Sequence, residues 1–279
     1  MLPDEQGPPS DAIHGGRLVE RPESLPPAIS VVIPVYRNAD TLDELHRRLT
    51  AALEGMRSSF EIVFVDDACP AGSWPVLEAL GLRDRRVVGL RMERNVGQHQ
   101  AVLAGLSYAR GERIVILDAD LQDPPEAIPA LLAKLGEGYA AVFAGRRGLY
   151  ESLPRLLTSQ LFKSTLHVIL GLPRDAGLFV VFDRRVADRL LAYRVRHPFI
   201  VAMIGGTGLP MISVPVARDT RPQGRTAYTS LRRLQVAVHA LAWAVCHRLG
   251  LPCAQAASPT ERPRFRVFRG GMSDDESEA

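Results

Sequence analysis

Cysteine is scarce. Cys69, Cys246 and Cys253 are the only three in 279 residues. An odd count makes a poor disulfide framework, and the spacing matches no metal-ligand pattern. Reduced thiols in a cytosolic protein are expected. Long apolar runs are also missing, and a spanning helix needs roughly 20 such residues. The nearest candidate, Val236 to Cys246, is too short and is flanked by Arg232, Arg233, His247 and Arg248. The opening Met1-Leu2-Pro3-Asp4-Glu5-Gln6 has no basic start leading into an apolar run, so no signal peptide is expected. Charge is nearly balanced, and a net +3 does not argue for a nucleic-acid partner. No Gly-x-Gly-x-x-Gly follows the first strand-like segment, which removes the usual signature of a dinucleotide oxidoreductase. No internal repeat is visible.

What remains is ordinary globular usage, 46% apolar and 23% charged, in a chain long enough for a substantial core. Residues 1–27 are rich in Pro, Gly and charge and read as a flexible arm. From Ile29 the chain alternates. Ile29 to Tyr36, Phe60 to Val65, Val87 to Arg91, Arg113 to Leu117 and Ala140 to Ala144 are apolar runs that fit buried strands. Between them, Thr41 to Leu53, Pro75 to Leu82, Gln98 to Ala109 and a segment after Pro125 carry helical patterns. In the first of these, Leu42, Leu45, Leu49 and Leu53 share one face. This rhythm predicts an α/β fold with a mostly parallel sheet flanked by helices. Beyond Arg147, helices over 153–170 and 231–249 and strands at Phe179 to Phe182 and Met211 to Val216 are expected. Residues 250–279 read as a polar flexible tail ending in Asp274-Asp275-Glu276-Ser277-Glu278.

Open α/β sheets place ligands at the carboxyl ends of their strands. Three such ends here carry polar groups: Tyr36-Arg37-Asn38, Asp66-Asp67 and Asp118-Ala119-Asp120. Two carboxylates separated by one small residue suit a hard cation shared with a diphosphate, which neutralises charge on a departing diphosphate. An isolated Asp-x-Asp equally suits a turn or a cap for the helix after Pro124-Pro125. Asp175, on a loop before the strand at Phe179, is a candidate general base or an ordinary turn acid.

The ordered set of segments resembles the inverting family 2 glycosyltransferases, in the branch of polyprenyl-phosphate sugar transferases such as dolichol-phosphate mannose synthase. The matching segments are Val32-Ile33-Pro34-Val35-Tyr36, Val65-Asp66-Asp67, Arg94-Asn95-Val96-Gly97-Gln98, Leu117 through Glu126, and Arg221-Pro222-Gln223-Gly224-Arg225-Thr226-Ala227-Tyr228. They extend over about Ile29 to Trp243. The resemblance implies a Rossmann-like fold of the A type. The nucleotide-sugar half would span about 28–147 and the acceptor half about 148–249. It places Pro34, Tyr36, Asp40, Asp66 and Asn95 around the donor, with Asp118, Ala119 and Asp120 at its diphosphate. Asp118 and Asp120 would hold Mg2+ or Mn2+. Gln122, Arg221, Gly224 and Arg225 would face acceptor or phosphate groups, and Asp120, Asp175 and Arg221 would act in catalysis.

Departures fall on the acceptor side. The family's Gly-Asp-Phe-Arg reads Gly177-Leu178-Phe179-Val180, and its lysine near Ala227 is missing. Arg37-Asn38 replaces a common Asn-Glu, and Ala68-Cys69-Pro70 follows the paired acids. The implied activity is metal-dependent transfer from a UDP- or GDP-sugar to a polyprenyl phosphate. Transfer to a soluble hydroxyl acceptor, or nucleotide-sugar binding without turnover, stand as alternatives. The helix over 231–249 suits either a membrane surface or the protein core. The expected place is the cytoplasm, free or peripheral at the inner face of a membrane, with a membrane-protein partner as a further option.

Overall fold

The computed structural model describes residues 13–14, 17–18, 25–146, 153–218, 230–251 and 264–270. Within the arm, Ile13–His14 (β1) and Arg17–Leu18 (β2) pair antiparallel. The alternating half then runs Ile29–Val35 (β3), Leu42–Glu54 (α1), Phe60–Asp66 (β4), Ser73–Arg83 (α2), Val87–Met92 (β5), Gln98–Tyr108 (α3), Arg113–Ile116 (β6), Ile128–Leu135 (α4) and Ala141–Arg146 (β7). Leu153–Leu170 (α5), Val180–Asp183 (β8), Arg184–Ala192 (α6), Ile200–Gly206 (α7), Met211–Val216 (β9), Ser230–Arg248 (α8) and Phe265–Arg269 (β10) follow.

Among the described residues the main sheet has eight strands in the order β10-β5-β4-β3-β6-β8-β7-β9. β8 and β10 run against the rest. β3 and β4 are buried along their whole length, which explains their unbroken apolar sequence. Their side chains alternate between two cores. Val31, Ile33 and Phe64 face α1, α2 and α4, while Val32, Val63 and Val65 face α3 and the helices of the second half. The leucines predicted to share a face of α1 are all fully buried on the first side.

Two helices were not predicted. α6 carries a short amphipathic signal: Val186, Ala187 and Leu190 are buried, and the Asp183 carboxylate caps it by accepting from the Val186 N–H at 3.1 Å. α7 is apolar on every side and buried from Ile200 to Gly205, so it lacks the periodicity that distinguishes a helix from a strand.

The polar-tail reading fails for Phe265–Arg269. These residues form β10, antiparallel to β5 at the sheet edge. The physical reason is a socket. A Cβ on Gly81 would lie 2.0 Å from Cε1 of Phe268, so glycine there is what admits the ring. Arg269 donates to the Tyr108 hydroxyl and stacks over its ring.

At the amino end of β5, Asp84 gathers the Arg86 backbone N–H, the Arg86 guanidinium and His46, all at 2.9 Å. Burial alone would raise this carboxyl. The Arg86 and His46 hydrogen bonds outweigh it and hold the pKa at about 2. A carboxyl depressed in the folded state stabilises above its unfolded value. That contribution, roughly 2 kcal/mol, is lost as pH falls from about 4 towards 2. Asp84→Asn should therefore lower the urea midpoint at pH 6, and the gap from wild type should close near pH 2. A gap that persists unchanged at low pH would refute this.

Candidate active site

The acids predicted at strand ends converge at the carboxyl edge of the sheet. Val35 pairs with Asp66, and Val32 pairs with Ile116, so β3 separates the Asp66 end from the Asp118 end. Strands lie about 4.8 Å apart, which puts these two ends roughly 10 Å from each other. Pro34 is buried in β3, Tyr36 is half-buried just beyond it, and Asp40 is exposed in the turn before α1.

Asp66 is fully buried, and its Oδ2 has no hydrogen-bond partner. Its Oδ1 accepts from the Cys69 N–H at 3.1 Å. Burial raises the Asp66 carboxyl, while the Cys69 hydrogen bond and Arg91 pull it back. Arg91 Nε stands 3.7 Å from that Oδ2 as its ion-pair partner.

Asp67 has a different task. Its carboxylate accepts from the Val96 N–H at 2.7 Å, the Gly97 N–H at 2.9 Å and the Asn95 amide at 3.0 Å. It thus fixes the segment that starts α3. The amide of Asn95, predicted to face the donor, is directed at Asp67. The first residue of α3, Gln98, in turn donates to Asp118 Oδ1. The neighbouring His99 packs edge-on against Phe199 with ring centroids 4.9 Å apart. Burial pushes it down to about 4, so it is neutral at physiological pH.

Asp118 and Asp120 are partly exposed on either side of buried Ala119. Thr41 Oγ1 donates to the Ala119 carbonyl, and the Gln122 N–H donates to Asp120 Oδ1 at 3.2 Å. Leu121 follows with φ 59°, and Arg37 and Ala68, at the neighbouring strand ends, have φ 61° and 48°. Left-handed backbone costs a non-glycine residue about 1–2 kcal/mol, and such strain clusters where a site must be shaped.

Asp175 belongs to the same edge. β8 runs antiparallel, so the loop before it arrives where β6 and β7 end, with Val180 opposite Ile116 and Phe143. A Cβ on Gly145 would lie 2.0 Å from Asp175 Oδ2 and 2.3 Å from Ser213 Oγ. Glycine at the end of β7 therefore makes room for this carboxylate. Arg221, Gly224 and Arg225 lie outside the described residues. Thr41, Asp67, Asp123 and Arg218 shape the site without having been assigned a role from sequence; only Asp67 stood beside a predicted acid.

The family model for glycosyl transferase family 2 matches residues 30–180. The chain belongs to glycosyl transferase family 2. Its relatives include the glycosyltransferase YkcC of Bacillus subtilis (strain 168), 32% identical over 75% of this chain and 66% of that protein. Another is the undecaprenyl-phosphate 4-deoxy-4-formamido-L-arabinose transferase of Shewanella sediminis (strain HAW-EB3), 36% identical over 72% of this chain and 61% of that protein. The chain thus spans just under two thirds of the length of these curated relatives. Among solved structures, the glucosyl-3-phosphoglycerate synthase of Mycobacterium tuberculosis, in complex with Mn2+, uridine-diphosphate and phosphoglyceric acid, matches with a TM-score of 0.58. It is 19% identical, over 88% of each chain, a likeness that establishes the A-type glycosyltransferase fold. The predicted family is correct, and so is the α/β fold class of the A type with a mostly parallel sheet flanked by helices.

Proposed function

We propose that this family 2 glycosyltransferase moves a sugar, with inversion, from a nucleotide-sugar donor to a polyprenyl phosphate at a membrane surface. The observation that carries the reading is the convergence of Asp66, Asp118 and Asp120 on one sheet edge, with a buried carboxylate on one side of β3 and paired carboxylates on the other. The donor set fits Mg2+ or Mn2+. Hard cations of this kind take oxygen ligands and often use one or two carboxylates completed by substrate phosphates. Two carboxylates of that kind stand here; among the described residues no group of three or more His, Cys, Asp or Glu could hold a metal by itself. When bound, such a cation neutralises charge on the leaving diphosphate.

The chain's own residues supply the rest. Asp66 would accept a hydrogen bond from the base or ribose. Asp118 and Asp120 would orient the diphosphate end, and Arg221 and Arg225 would meet phosphate oxygens. The acceptor oxygen bonds to the anomeric carbon as that carbon's bond to the diphosphate breaks. A phosphate acceptor is already anionic and needs no base, so Leu178 in place of the acid is tolerable; the cation missing at Val180 must be replaced, and Arg225 is the candidate.

The surface supports a lipid acceptor. Leu161 and Val168 on α5 are 71% and 80% exposed, Val238 and Val245 on α8 are 55% and 42% exposed, and Leu249 just beyond α8 is 63% exposed. The two helices pack together. In each helix the exposed residues repeat at intervals that keep them on one face. Such a face suits peripheral contact with a bilayer. No helix among the described residues is long and apolar enough to cross one. The proposed layout keeps the donor half at 28–147, the acceptor half at 148–249, an arm before 28 and a tail beyond 250, with β10 returning to the sheet.

Transfer to a soluble hydroxyl is the second reading. It is favoured by Asp175, whose carboxylate stands over Gly145 at the site edge, where a base is useful. The test is labelled UDP- and GDP-sugars with Mg2+ or Mn2+, offered short-chain polyprenyl phosphate beside the free polyprenol. Label on the phosphate alone is expected, and it should be lost in Arg225→Ala. Efficient transfer to a water-soluble hydroxyl would establish the second reading, and donor binding without any product would leave a binding protein.

With the active donor in hand, Asp66→Ala should raise the donor Michaelis constant more than it lowers turnover, because its contact is remote from bond breaking. Turnover collapsing at an unchanged Michaelis constant would give Asp66 another role.

A further inference from the structure

The Asp118–Asp123 turn is tied down from three distant places: Gln98 on Asp118, Thr41 on the Ala119 carbonyl, and Arg218 on Asp123. The last of these has no evident structural need. Arg218 Nε lies 2.8 Å and its second terminal nitrogen 2.7 Å from Asp123 Oδ1. The side chains are 17% and 4% exposed. A buried ion pair is weak support for a fold, since a well-packed apolar pair commonly serves as well or better. Here Asp123 Oδ2 is buried without a hydrogen-bond partner, so part of the cost of burial is left uncompensated. What the pair provides is direction. The remaining arm of the guanidinium reaches Gln122 Oε1 at 3.4 Å. Gln122 is the residue whose N–H donates to Asp120 Oδ1, and it follows the left-handed Leu121.

We propose that Arg218 and Asp123 are positioning residues that hold the Leu121–Gln122 turn and thereby set the Asp120 carboxylate for metal binding. The proposal rests on the reading of Asp118 and Asp120 as the metal seat. Arg218 acts at a distance in sequence, from the end of β9, through a planar fork that spans a carboxylate and an amide at once. Lysine, a point charge on a flexible stem, cannot span both. Outer partners of this kind typically change metal affinity by about 10–100-fold when removed.

The experiment is Mn2+ titration of the full chain by calorimetry, with UDP in one arm and GDP in another. Removing one partner alone would strand a buried charge. The main variant is therefore the double substitution Asp123→Leu with Arg218→Met, which leaves none. It is expected to fold with an unfolding midpoint near wild type and to bind Mn2+ at least about tenfold more weakly. Arg218→Lys guards against a misfolded double variant. It keeps a cation against Asp123 but loses the fork, and should weaken Mn2+ by less than the double variant does. Asp84→Asn, at the opposite end of the sheet, should lower stability without changing Mn2+ affinity, which separates positioning from general loosening. Wild-type affinity in the folded double variant and in Arg218→Lys overturns the proposal. A wild-type chain that transfers sugar yet binds no Mn2+ in either arm removes the metal seat itself, and the positioning role falls with it.

Discussion

Asp120→Asn should lower sugar transfer by about 10²–10³ while leaving the fold intact, the typical effect of removing one group that stabilises developing charge. Asp120 is partly exposed in the turn beyond β6, and the substitution is close to isosteric. Its Oδ1 accepts from the Gln122 N–H, a hydrogen bond that the amide oxygen of asparagine can still accept. What asparagine lacks is the negative charge that a divalent cation and diphosphate would share. The measurement is product formation at saturating donor, alongside an unfolding curve. A folded variant with near-normal turnover would falsify the metal assignment.

Asp67→Ala should act through stability instead, by about 2–4 kcal/mol. The buried carboxylate is the acceptor for the Val96 and Gly97 backbone N–H groups and for the Asn95 amide. Each donor stranded in a buried setting costs on the order of 1–3 kcal/mol, and the exposed Asn95 recovers its loss in water. The damage should also spread, because this segment sets the first turn of α3 and therefore Gln98 on Asp118. A lower urea midpoint together with weaker donor binding is expected. Asp67→Asn should recover part of the stability, since one amide oxygen still accepts. A loss of stability of less than about 0.5 kcal/mol would mean that the loop holds itself.

The strands were legible because burial on both faces leaves unbroken apolar runs, as in β3 and β4. α1 was legible because its buried leucines keep helical spacing. α7 was not, because a segment buried all round carries no periodicity, and β10 was not, because a five-residue strand in a basic stretch resembles surface. Its pairing depends on β5 and on the Gly81 socket for Phe268, which no local pattern announces.

At the site, the acids and their order belonged to the sequence. Asp66 and Asp118-Ala119-Asp120 close apolar runs, and in an α/β chain the ends of such runs share one edge. The supports were decided by tertiary structure. Thr41 meets Ala119 from 78 residues away and Arg218 meets Asp123 from 95. Asp67 and Asp66 are adjacent and chemically identical, yet one anchors a loop while the other keeps a buried oxygen with no hydrogen bond and only Arg91 Nε at 3.7 Å. Sequence determines which residues terminate each strand, because side-chain burial along a strand is written in local order. It does not determine which carboxylate is matched by which N–H, because hydrogen-bond partners are chosen in three dimensions, after the sheet has brought distant segments to the same edge.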